Sequence, residues 1–201
     1  MIRVLLAEDQ HLVRGALVAL LTQELDIEVV AETASGDEIV PLAMSSGPDV
    51  AVIDIDLPGR DGITAAGELH EALPSCRTLI LTSLGRPGTV RRALDARVNG
   101  YMLKDAPSER LANAIRQVAV GRRVVDGDLA LAAWDTEDCP LAGREIEVLR
   151  LTSNGHTVND VATSLFLSPG TVRNYLTSIV SKLNARNRVD AIRIAVEAGW
   201  L

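Results

Sequence analysis

The ten residues VAVIDIDLPG, from Val50 to Gly59, combine a short apolar run with two carboxylates and a turn-forming Pro-Gly pair. Four consecutive apolar residues bounded by polar ones are typical of a strand that is buried on both faces. Such strands belong to parallel sheets with helices on either side, and ligands bind these sheets beyond the carboxyl ends of the strands. The segment therefore predicts an α/β domain with its chemistry near Asp54 and Asp56.

Apolar runs and helical patterns alternate on both sides of this segment, over residues 1–121. The runs predict strands because they are short and bounded by polar residues, and the stretches between them space apolar residues at helical intervals. The sequence therefore predicts a five-stranded doubly wound parallel sheet of the flavodoxin-like type. We expect strands at Ile2–Ala7, Ile27–Ala31, Val50–Ile53, Thr78–Leu81 and Tyr101–Leu103, and helices at Leu12–Leu25, Gly36–Met44, Gly62–Leu73, Thr89–Ala96 and Ser108–Val120.

The remainder of the chain contains no strand pattern. Gly121 is a typical helix stop, and the periodicity fades over residues 122–138, which we expect to form a linker. Its apolar stretch Ala130–Trp134 is expected to form a short helix. Residues 139–201 predict a compact all-α domain of four helices, at Arg144–Ser153, Val158–Phe166, Pro169–Leu183 and Val189–Ala198.

Charged side chains are divided unequally between the two parts. The chain has 20 basic and 27 acidic side chains and a net charge of −7. Residues 1–138 hold 13 basic and 22 acidic side chains, whereas residues 139–201 hold 7 and 5, a local charge of +2. Binding to duplex DNA draws on Lys and Arg to neutralise phosphates, and the acidity that would oppose such binding belongs to the first part.

No membrane segment and no extracellular framework are expected. The longest apolar clusters fall far short of the roughly 20 residues of a membrane helix, and no basic, apolar leader opens the chain. Cys76 and Cys139 form no C-x-x-C pair and have no histidine nearby, so we expect reduced thiols with neither a disulfide nor a zinc site. The expected location is the cytoplasm, without a membrane partner.

Polar side chains follow four of the five predicted strands. Glu8 and Asp9 follow the first strand, Asp54 the third, Thr82 the fourth and Lys104 the fifth. If the first and third strands are neighbours, three carboxylates converge, and like charges so close oppose joint ionisation unless a cation lies among them. Mg²⁺ suits that position because it prefers carboxylate and carbonyl oxygens. An Asp beside such a metal can act as a nucleophile toward phosphorus, with the lysine balancing the charge.

Residues 1 to about 121 resemble the receiver domain of response regulators. The resemblance rests on the residues named above and on the tail Leu57-Pro58-Gly59-x-Asp61-Gly62. It implies that Asp54 is the phosphoacceptor and that Lys104 is the lysine of the family pattern. It also implies a switch hydroxyl at Thr82 and a switch aromatic at Tyr101. The Mg²⁺ ligands that it implies are Glu8, Asp9, Asp54 and the main-chain carbonyl of Asp56.

One feature departs from most receivers, because Lys104 is followed by Asp105 rather than by proline. This variation is familiar in the NarL/FixJ subfamily, and it leaves open whether the intervening peptide bond is cis.

Two alternatives are open at this point. Asp54-Ile55-Asp56 is similar to the D-x-D motif of haloacid-dehalogenase-type phosphatases, but that motif belongs on the first strand and lacks the Pro58 found here. The other alternative is a receiver-like regulator controlled by something other than phosphate. The complete acidic, hydroxyl and lysine set favours control by phosphorylation, in a protein that is not an enzyme.

The third helix of the C-terminal part has two distinct faces. Ser168 and Pro169 predict an N-cap and a first helical residue. Apolar residues recur at intervals of four, three and four, which places them on one stripe against the preceding helix: Val172, Leu176, Ile179 and Leu183. The opposite face holds residue types that contact bases and phosphates, so the pair of helices predicts a helix-turn-helix. The candidate DNA contacts are Thr171, Arg173, Asn174, Thr177, Ser178 and Lys182.

Residues 141–201 resemble a LuxR-type DNA-binding domain. The motifs are Leu141-x-x-Arg144-Glu145-x-x-Val148-Leu149, Gly155-x-Thr157 with Val161-Ala162, Ser168-x-x-Thr171-Val172-Arg173-Asn174-Tyr175, and Lys182-Leu183 with Arg186-Asn187-Arg188. Ala142 stands where the family usually has a capping Thr or Ser, a loss that typically costs about 1 kcal/mol.

Together the two resemblances imply a NarL/FixJ-type two-component response regulator. Residues 82–88 and 197–200 are, in addition, similar to one particular member of that family. The implied partners are a sensor histidine kinase, double-stranded DNA and, on phosphorylation, a second copy of the chain.

Overall fold

A computed structural model describes residues 1–83, 87–125 and 139–201. They form two compact units, an α/β unit and a helical unit, and each is described by itself. The helix predicted at Ala130–Trp134 lies outside the described residues.

The α/β unit is built on a parallel sheet. Five of its strands confirm the predicted ones, and the strand order β2-β1-β3-β4-β5-β6 is the flavodoxin-like order extended by one strand. Strands β1 and β3 pair in parallel, in register from Val4↔Val50 to Ala7↔Ile53, so the first and third strands are neighbours. The strands are β1 (Ile2–Ala7), β2 (Ile27–Thr33), β3 (Val50–Ile53), β4 (Arg77–Thr82), β5 (Gly100–Leu103) and β6 (Val124–Val125).

Five α-helices connect these strands. The predicted second helix is divided, because it begins as a 3₁₀ turn at Gly36–Glu38 before the α-helix starts at Ile39. The helices are α1 (His11–Thr22), α2 (Ile39–Ser46), α3 (Gly62–Ala72), α4 (Pro87–Asp95) and α5 (Ser108–Ala119).

Successive side chains of each strand point to opposite faces of the sheet, and both faces are buried. Val4, Leu6, Val52 and Leu79 pack on one face with the apolar side of α5. This two-sided burial explains why the strands are continuous apolar runs.

The helical unit contains four helices among the described residues, in agreement with the predicted all-α domain. Its core includes the predicted stripe of the third helix, with Val172 and Ile179 fully buried. The second helix ends at Ser164, two residues earlier than predicted, because Phe166 takes a left-handed backbone conformation with φ 55°. The helices are α6 (Gly143–Ser153), α7 (Val158–Ser164), α8 (Pro169–Lys182) and α9 (Arg188–Glu197).

The short strand β6 lies within residues 122–138, where the sequence predicts a linker. Within the described residues, no helix has both the length and the apolar character needed to cross a membrane.

Candidate functional site

The three predicted carboxylates meet at the carboxyl edge of the sheet. Glu8, Asp9 and Asp54 each place a carboxylate oxygen within 4.8 Å of the others. Glu8 is 1% exposed and Asp54 4% exposed, whereas Asp9 is only partly buried. The pairing of β1 with β3 brings these residues together, as the sequence analysis required. Repulsion among three carboxylates at this distance is strong and needs compensation by positive charge.

Lys104 supplies part of that compensation. Its Nζ lies 2.6 Å from Glu8 Oε2 and 3.0 Å from Asp54 Oδ2. Burial lowers the pKa of the Lys104 ammonium, but the contacts with the two carboxylates outweigh burial, and the pKa lies above its ordinary value. The peptide bond between Lys104 and Asp105 is trans. One ammonium among three carboxylates leaves a formal charge of −2, which a divalent cation would neutralise.

The loop after Asp54 folds tightly back on the end of β3. Asp54 Oδ1 accepts a hydrogen bond from the Ile55 N–H at 2.8 Å, and Ile55 O accepts from the N–H groups of Leu57 and Gly62, each at 2.9 Å. A Cβ on Gly62 would lie 1.9 Å from the carbonyl oxygen of Asp54. Glycine is therefore required where α3 begins, and its absence of a side chain lets the helix approach the acceptor residue.

Thr82 and Tyr101 project from the same face of the sheet. Tyr101 pairs in register with Ile80, and Thr82 lies two residues beyond Ile80 on β4. Both side chains are 2% exposed. The Lys104 N–H donates to Thr82 O at 2.8 Å, so the segment that carries the lysine is attached to the end of β4.

Arg14 also belongs to this site, although no motif in the sequence marked it. Its Nη1 donates to the carbonyl oxygen of Glu8 at 2.6 Å, and its side chain is 15% exposed. The contact fixes the backbone of the acidic pair. The available signal was an arginine at the first turn of the helix that follows Glu8 and Asp9.

The second candidate site is the pair of helices α7 and α8. Thr157 and Asp160 form a reciprocal capping box at the start of α7. Ser168 Oγ accepts from the Thr171 N–H at 3.0 Å, which confirms the predicted start of α8 at Pro169. The two helices are joined by a turn of four residues, 165–168, the arrangement of a helix-turn-helix.

Part of the predicted DNA-contacting face is open. Arg173, Asn174 and Thr177 are exposed, and Thr171 is half-buried. Within the part of the chain that the structure describes, the side chains of Arg173 and Asn174 form no hydrogen bond or ion pair. The Thr177 hydroxyl donates to Arg173 O at 3.0 Å within the helix.

The remaining two residues of that face contact Glu145 of α6. Ser178 Oγ donates to Glu145 Oε1 at 2.8 Å, and Lys182 Nζ lies 2.7 Å from Glu145 Oε2. Glu145 is 4% exposed and also accepts from the Ala142 N–H at 2.8 Å. One of the two hydrogen bonds of a capping box, from the Ala142 N–H to the Glu145 carboxylate, is therefore present although Ala142 has no capping side chain. Glu145 had received no individual role from the sequence, and DNA contact by Ser178 and Lys182 stays a prediction.

Family comparisons match both units. Residues 4–116 match the response regulator receiver domain, and residues 139–195 match the luxR family of bacterial regulatory proteins. The matched regions contain both candidate sites. The combination of the two matches identifies a DNA-binding transcription regulator rather than an enzyme, so the phosphatase alternative loses its support.

Several known proteins are similar over nearly their whole length. The transcriptional regulatory protein DesR of Bacillus subtilis, the member that residues 82–88 and 197–200 resemble, is 44% identical over 200 residues, covering 100% of this chain and 99% of that protein. The DNA-binding transcriptional activator DevR/DosR of Mycobacterium tuberculosis is 35% identical over 207 residues, covering 98% and 95%. The crystal structure of response regulator ChrA, of a heme-sensing two-component system, is 36% identical with a TM-score of 0.59, covering 100% and 98%.

Proposed function

Because the chain belongs to the NarL/FixJ-type response regulators, we propose that transfer of a phosphoryl group to Asp54 controls its binding to DNA. The observation that carries the proposal is the contact of Lys104 with both Glu8 and Asp54 at the edge of the sheet. The phosphoryl donor in this proposal is a phosphohistidine of a sensor kinase. The protein would act in the cytoplasm, where kinase and DNA are both accessible.

The residues at the edge of the sheet fit a bound Mg²⁺. Glu8 Oε2 is buried and, among the described residues, has no donor near it besides the Lys104 ammonium, with which it forms an ion pair. Oxygen ligands and the excess negative charge are what this cation requires. Glu8, Asp9, Asp54 and the main-chain carbonyl of Asp56 would hold it. When bound, the cation would neutralise charge on the acceptor carboxylate and the phosphoryl oxygens together.

In the proposed transfer, the side chains have separate tasks. A carboxylate oxygen of Asp54 attacks phosphorus while the bond from phosphorus to the histidine nitrogen breaks. Lys104 lies close enough to Asp54 for its ammonium to form an ion pair with the phosphoryl oxygens after the transfer. Thr82, on the adjacent strand, would move inward and donate a hydrogen bond from its hydroxyl to a phosphoryl oxygen. Tyr101 would then be held in its buried position, which shifts the population between two states of the unit.

DNA binding is assigned to the open face of α8. Arg173 can form two hydrogen bonds to the edge of a guanine, and Asn174 can form two to the edge of an adenine. Thr171 and Thr177 can contact bases or phosphates. A single recognition helix reads only a few base pairs, and the local charge of +2 neutralises few phosphates. One unit should therefore bind weakly. Pairing two copies would add the second helix at high effective concentration, so phosphorylation is proposed to promote a dimer.

The test combines mass spectrometry with sedimentation. The full chain is incubated with acetyl phosphate and Mg²⁺, weighed intact, sedimented and then footprinted on selected DNA. We expect a gain of one phosphoryl group, dimerisation and protection of two half-sites. Asp54→Asn should gain no phosphoryl group, and Asp95→Asn, at an exposed aspartate at the end of α4, is the matched control that should still gain it.

Two results would contradict the proposal. If Asp54→Asn gains the phosphoryl group as fast as the parent chain, the acceptor assignment is wrong. If the phosphorylated parent stays monomeric and protects a single half-site, the dimer mechanism is wrong. A chain that dimerises equally well without phosphate would favour a regulator controlled by another signal.

A further inference from the structure

The sixth strand lies directly beside the switch aromatic. Val124 pairs in register with Gly100, and Val125 pairs with Tyr101. The Val124 N–H donates to Asn99 O at 3.0 Å. Partners in a parallel pair carry their side chains on the same face of the sheet, so Val125 is the outer neighbour of Tyr101 just as Ile80 is its inner neighbour.

A helix cap directs the chain to this position. After α5, Gly121 has φ 83°, its N–H donates to Val118 O at 2.8 Å, and the Arg122 N–H donates to Gln117 O at 3.0 Å. These are the two hydrogen bonds of a Schellman motif, which ends the helix in one fixed direction. The returning chain passes Gly100 in ordinary van der Waals contact, since a Cβ there would lie 3.5 Å from Val124 O. The Schellman motif therefore sets the direction in which the chain enters β6.

A cavity lies at the outer edge of β5, and both residues of β6 contribute to its lining. The cavity has a volume of about 270 Å³, and its lining includes Tyr101, Asp105, Arg110, Val124 and Val125. Without β6, β5 would be the edge strand, and one wall of the cavity would be missing. Because Val125 lies on the same face of the sheet as Tyr101, movement of the Tyr101 side chain toward the sheet edge would encounter Val125.

β6 is a short strand at the edge of the sheet. It has two residues, both half-buried, and is the beginning of the stretch that leads to the helical unit. A short, partly exposed strand opens at low free energy, so its docking responds to small changes at its neighbours. Tyr101 is the neighbour whose position the proposed function couples to phosphorylation.

We propose that Val125 is a positioning residue for Tyr101, and that burial of the Tyr101 ring and docking of β6 form one two-state element. The inference rests on the proposed function, because phosphorylation at Asp54 is the signal that biases this element. In the phosphorylated state the ring is buried and β6 is docked. When the ring leaves its buried position, β6 is released from the edge of β5.

Fluorine NMR of the full chain tests the positioning role. The chain has two tyrosines, so incorporation of 3-fluorotyrosine into a Tyr175→Phe background leaves the signal of Tyr101 alone. We expect Val125→Ala to move this signal toward the value of an exposed ring, and Val125→Ile to keep it at the parent value. Val120→Ala is the matched control, because Val120 is 72% exposed and has the same side chain. A Val125→Ala signal that coincides with the parent signal overturns the positioning role.

Hydrogen exchange tests the coupling to phosphorylation. The amide of Val124 should exchange more slowly, by a factor on the order of ten, after treatment with acetyl phosphate and Mg²⁺. In Val125→Ala, intact mass should show the same gain of a phosphoryl group, while the slowing at Val124 is lost. An exchange rate that phosphorylation leaves unchanged in the parent overturns the coupling. If intact mass shows no phosphoryl group on the parent, the proposed function fails, whereas the NMR comparison of unphosphorylated chains still decides the role of Val125.

Discussion

Lys182 Nζ lies 2.7 Å from Glu145 Oε2, so the end of α8 is attached by an ion pair to the start of α6. Ser178, one turn earlier on α8, donates to the other oxygen of the same carboxylate at 2.8 Å. A single buried carboxylate thus fixes the helix that is proposed to read DNA relative to the remainder of its unit. Hydrogen bonds to a charged group are shorter and stronger than neutral ones, which suits this orienting role.

The first prediction concerns the stability of the helical unit. Glu145→Gln removes the charge that Lys182 and Ser178 contact, and we expect a loss of about 1–3 kcal/mol in the free energy of unfolding. Calorimetry of the full chain should show a lower melting temperature for the unit's transition. Glu147→Gln is the matched control, because its ion pair with Arg144 is exposed and such pairs contribute about 0–1 kcal/mol. Equal effects of the two variants would contradict the role given to Glu145.

The second prediction is the pH dependence of the same unit. Burial raises the pKa of Glu145, but the contacts with Lys182, the Ala142 N–H and Ser178 outweigh burial, and the pKa lies below its ordinary value of 4.5. The ionised carboxylate therefore stabilises the folded unit at pH values above 4.5, and this contribution is lost as the pH falls through the folded-state pKa.

Melting temperatures measured at a series of acidic pH values provide the check. Asp190 and Asp160 also have lowered pKa values, because side-chain hydrogen bonds from Arg186 and Thr157 stabilise their ionised forms, so they add to the acid sensitivity of the parent. The difference between the parent and Glu145→Gln isolates the one carboxylate. That difference should shrink as the pH falls below 4.5, and a constant difference would exclude the assignment.

The third prediction compares two glycines of α3. A Cβ on Gly62 would lie 1.9 Å from Asp54 O, whereas a Cβ on Gly67 would lie 3.8 Å from its nearest neighbour, Ala96 Cβ. Gly62→Ala forces the start of α3 away from the acceptor and should cost about 1–3 kcal/mol. Gly67→Ala fills open space inside a helix and should stabilise by roughly 0.5–1 kcal/mol.

Denaturant unfolding and acetyl-phosphate labelling of both glycine variants test this difference. We expect Gly62→Ala to unfold at lower denaturant and to be labelled more slowly, since the backbone of Asp54 must shift. Gly67→Ala should be labelled at the parent rate. If Gly62→Ala matches the parent in both measurements, the close approach at Asp54 does not constrain the site.

Much of this architecture was predictable because the relevant signals are local. The strands at Ile2–Ala7 and Val50–Ile53 have the predicted bounds, since continuous apolar runs of this length are typical of strands buried on both faces. The start of α8 followed from Ser168 and Pro169, whose side chains act within one turn. The convergence of Glu8 and Asp54 followed once two strands were taken as neighbours.

Features that depend on distant partners were not predictable. Two valines after a helix have no periodicity, and Val124–Val125 become a strand only because the edge of β5 is available to them. Glu145 looked like one acidic residue of a motif, and its role depends on side chains 33 and 37 positions later. Phe166 is 97% exposed with φ 55°, and its left-handed conformation is unusual for a bulky residue, so the pattern placed it inside the preceding helix.

The last prediction concerns two arginines of the helical unit, one expected to contact a base and the other expected to contact a phosphate. Arg173 lies on the open face of α8, so Arg173→Ala should relax base preference at one position of each half-site by roughly 1–3 kcal/mol. Arg188 opens α9 and is exposed, and within the described residues it forms no ion pair, whereas its neighbours Arg186 and Arg193 are both held by Asp190. An unpaired guanidinium is free to contact phosphate without first breaking an ion pair.

Arg188→Ala should therefore weaken binding about equally for all sequences and lower the salt slope by about 1. Lys182→Ala should also weaken binding without changing preference, but it should lower the melting temperature as well, because it removes the partner of Glu145. Binding measured at several salt concentrations, on the selected site and on one with a single changed base pair, distinguishes the three variants. Phosphate binding by Arg188 is excluded if its alanine variant leaves the salt slope unchanged, and base reading by Arg173 is excluded if its variant keeps the parent discrimination between the two sites.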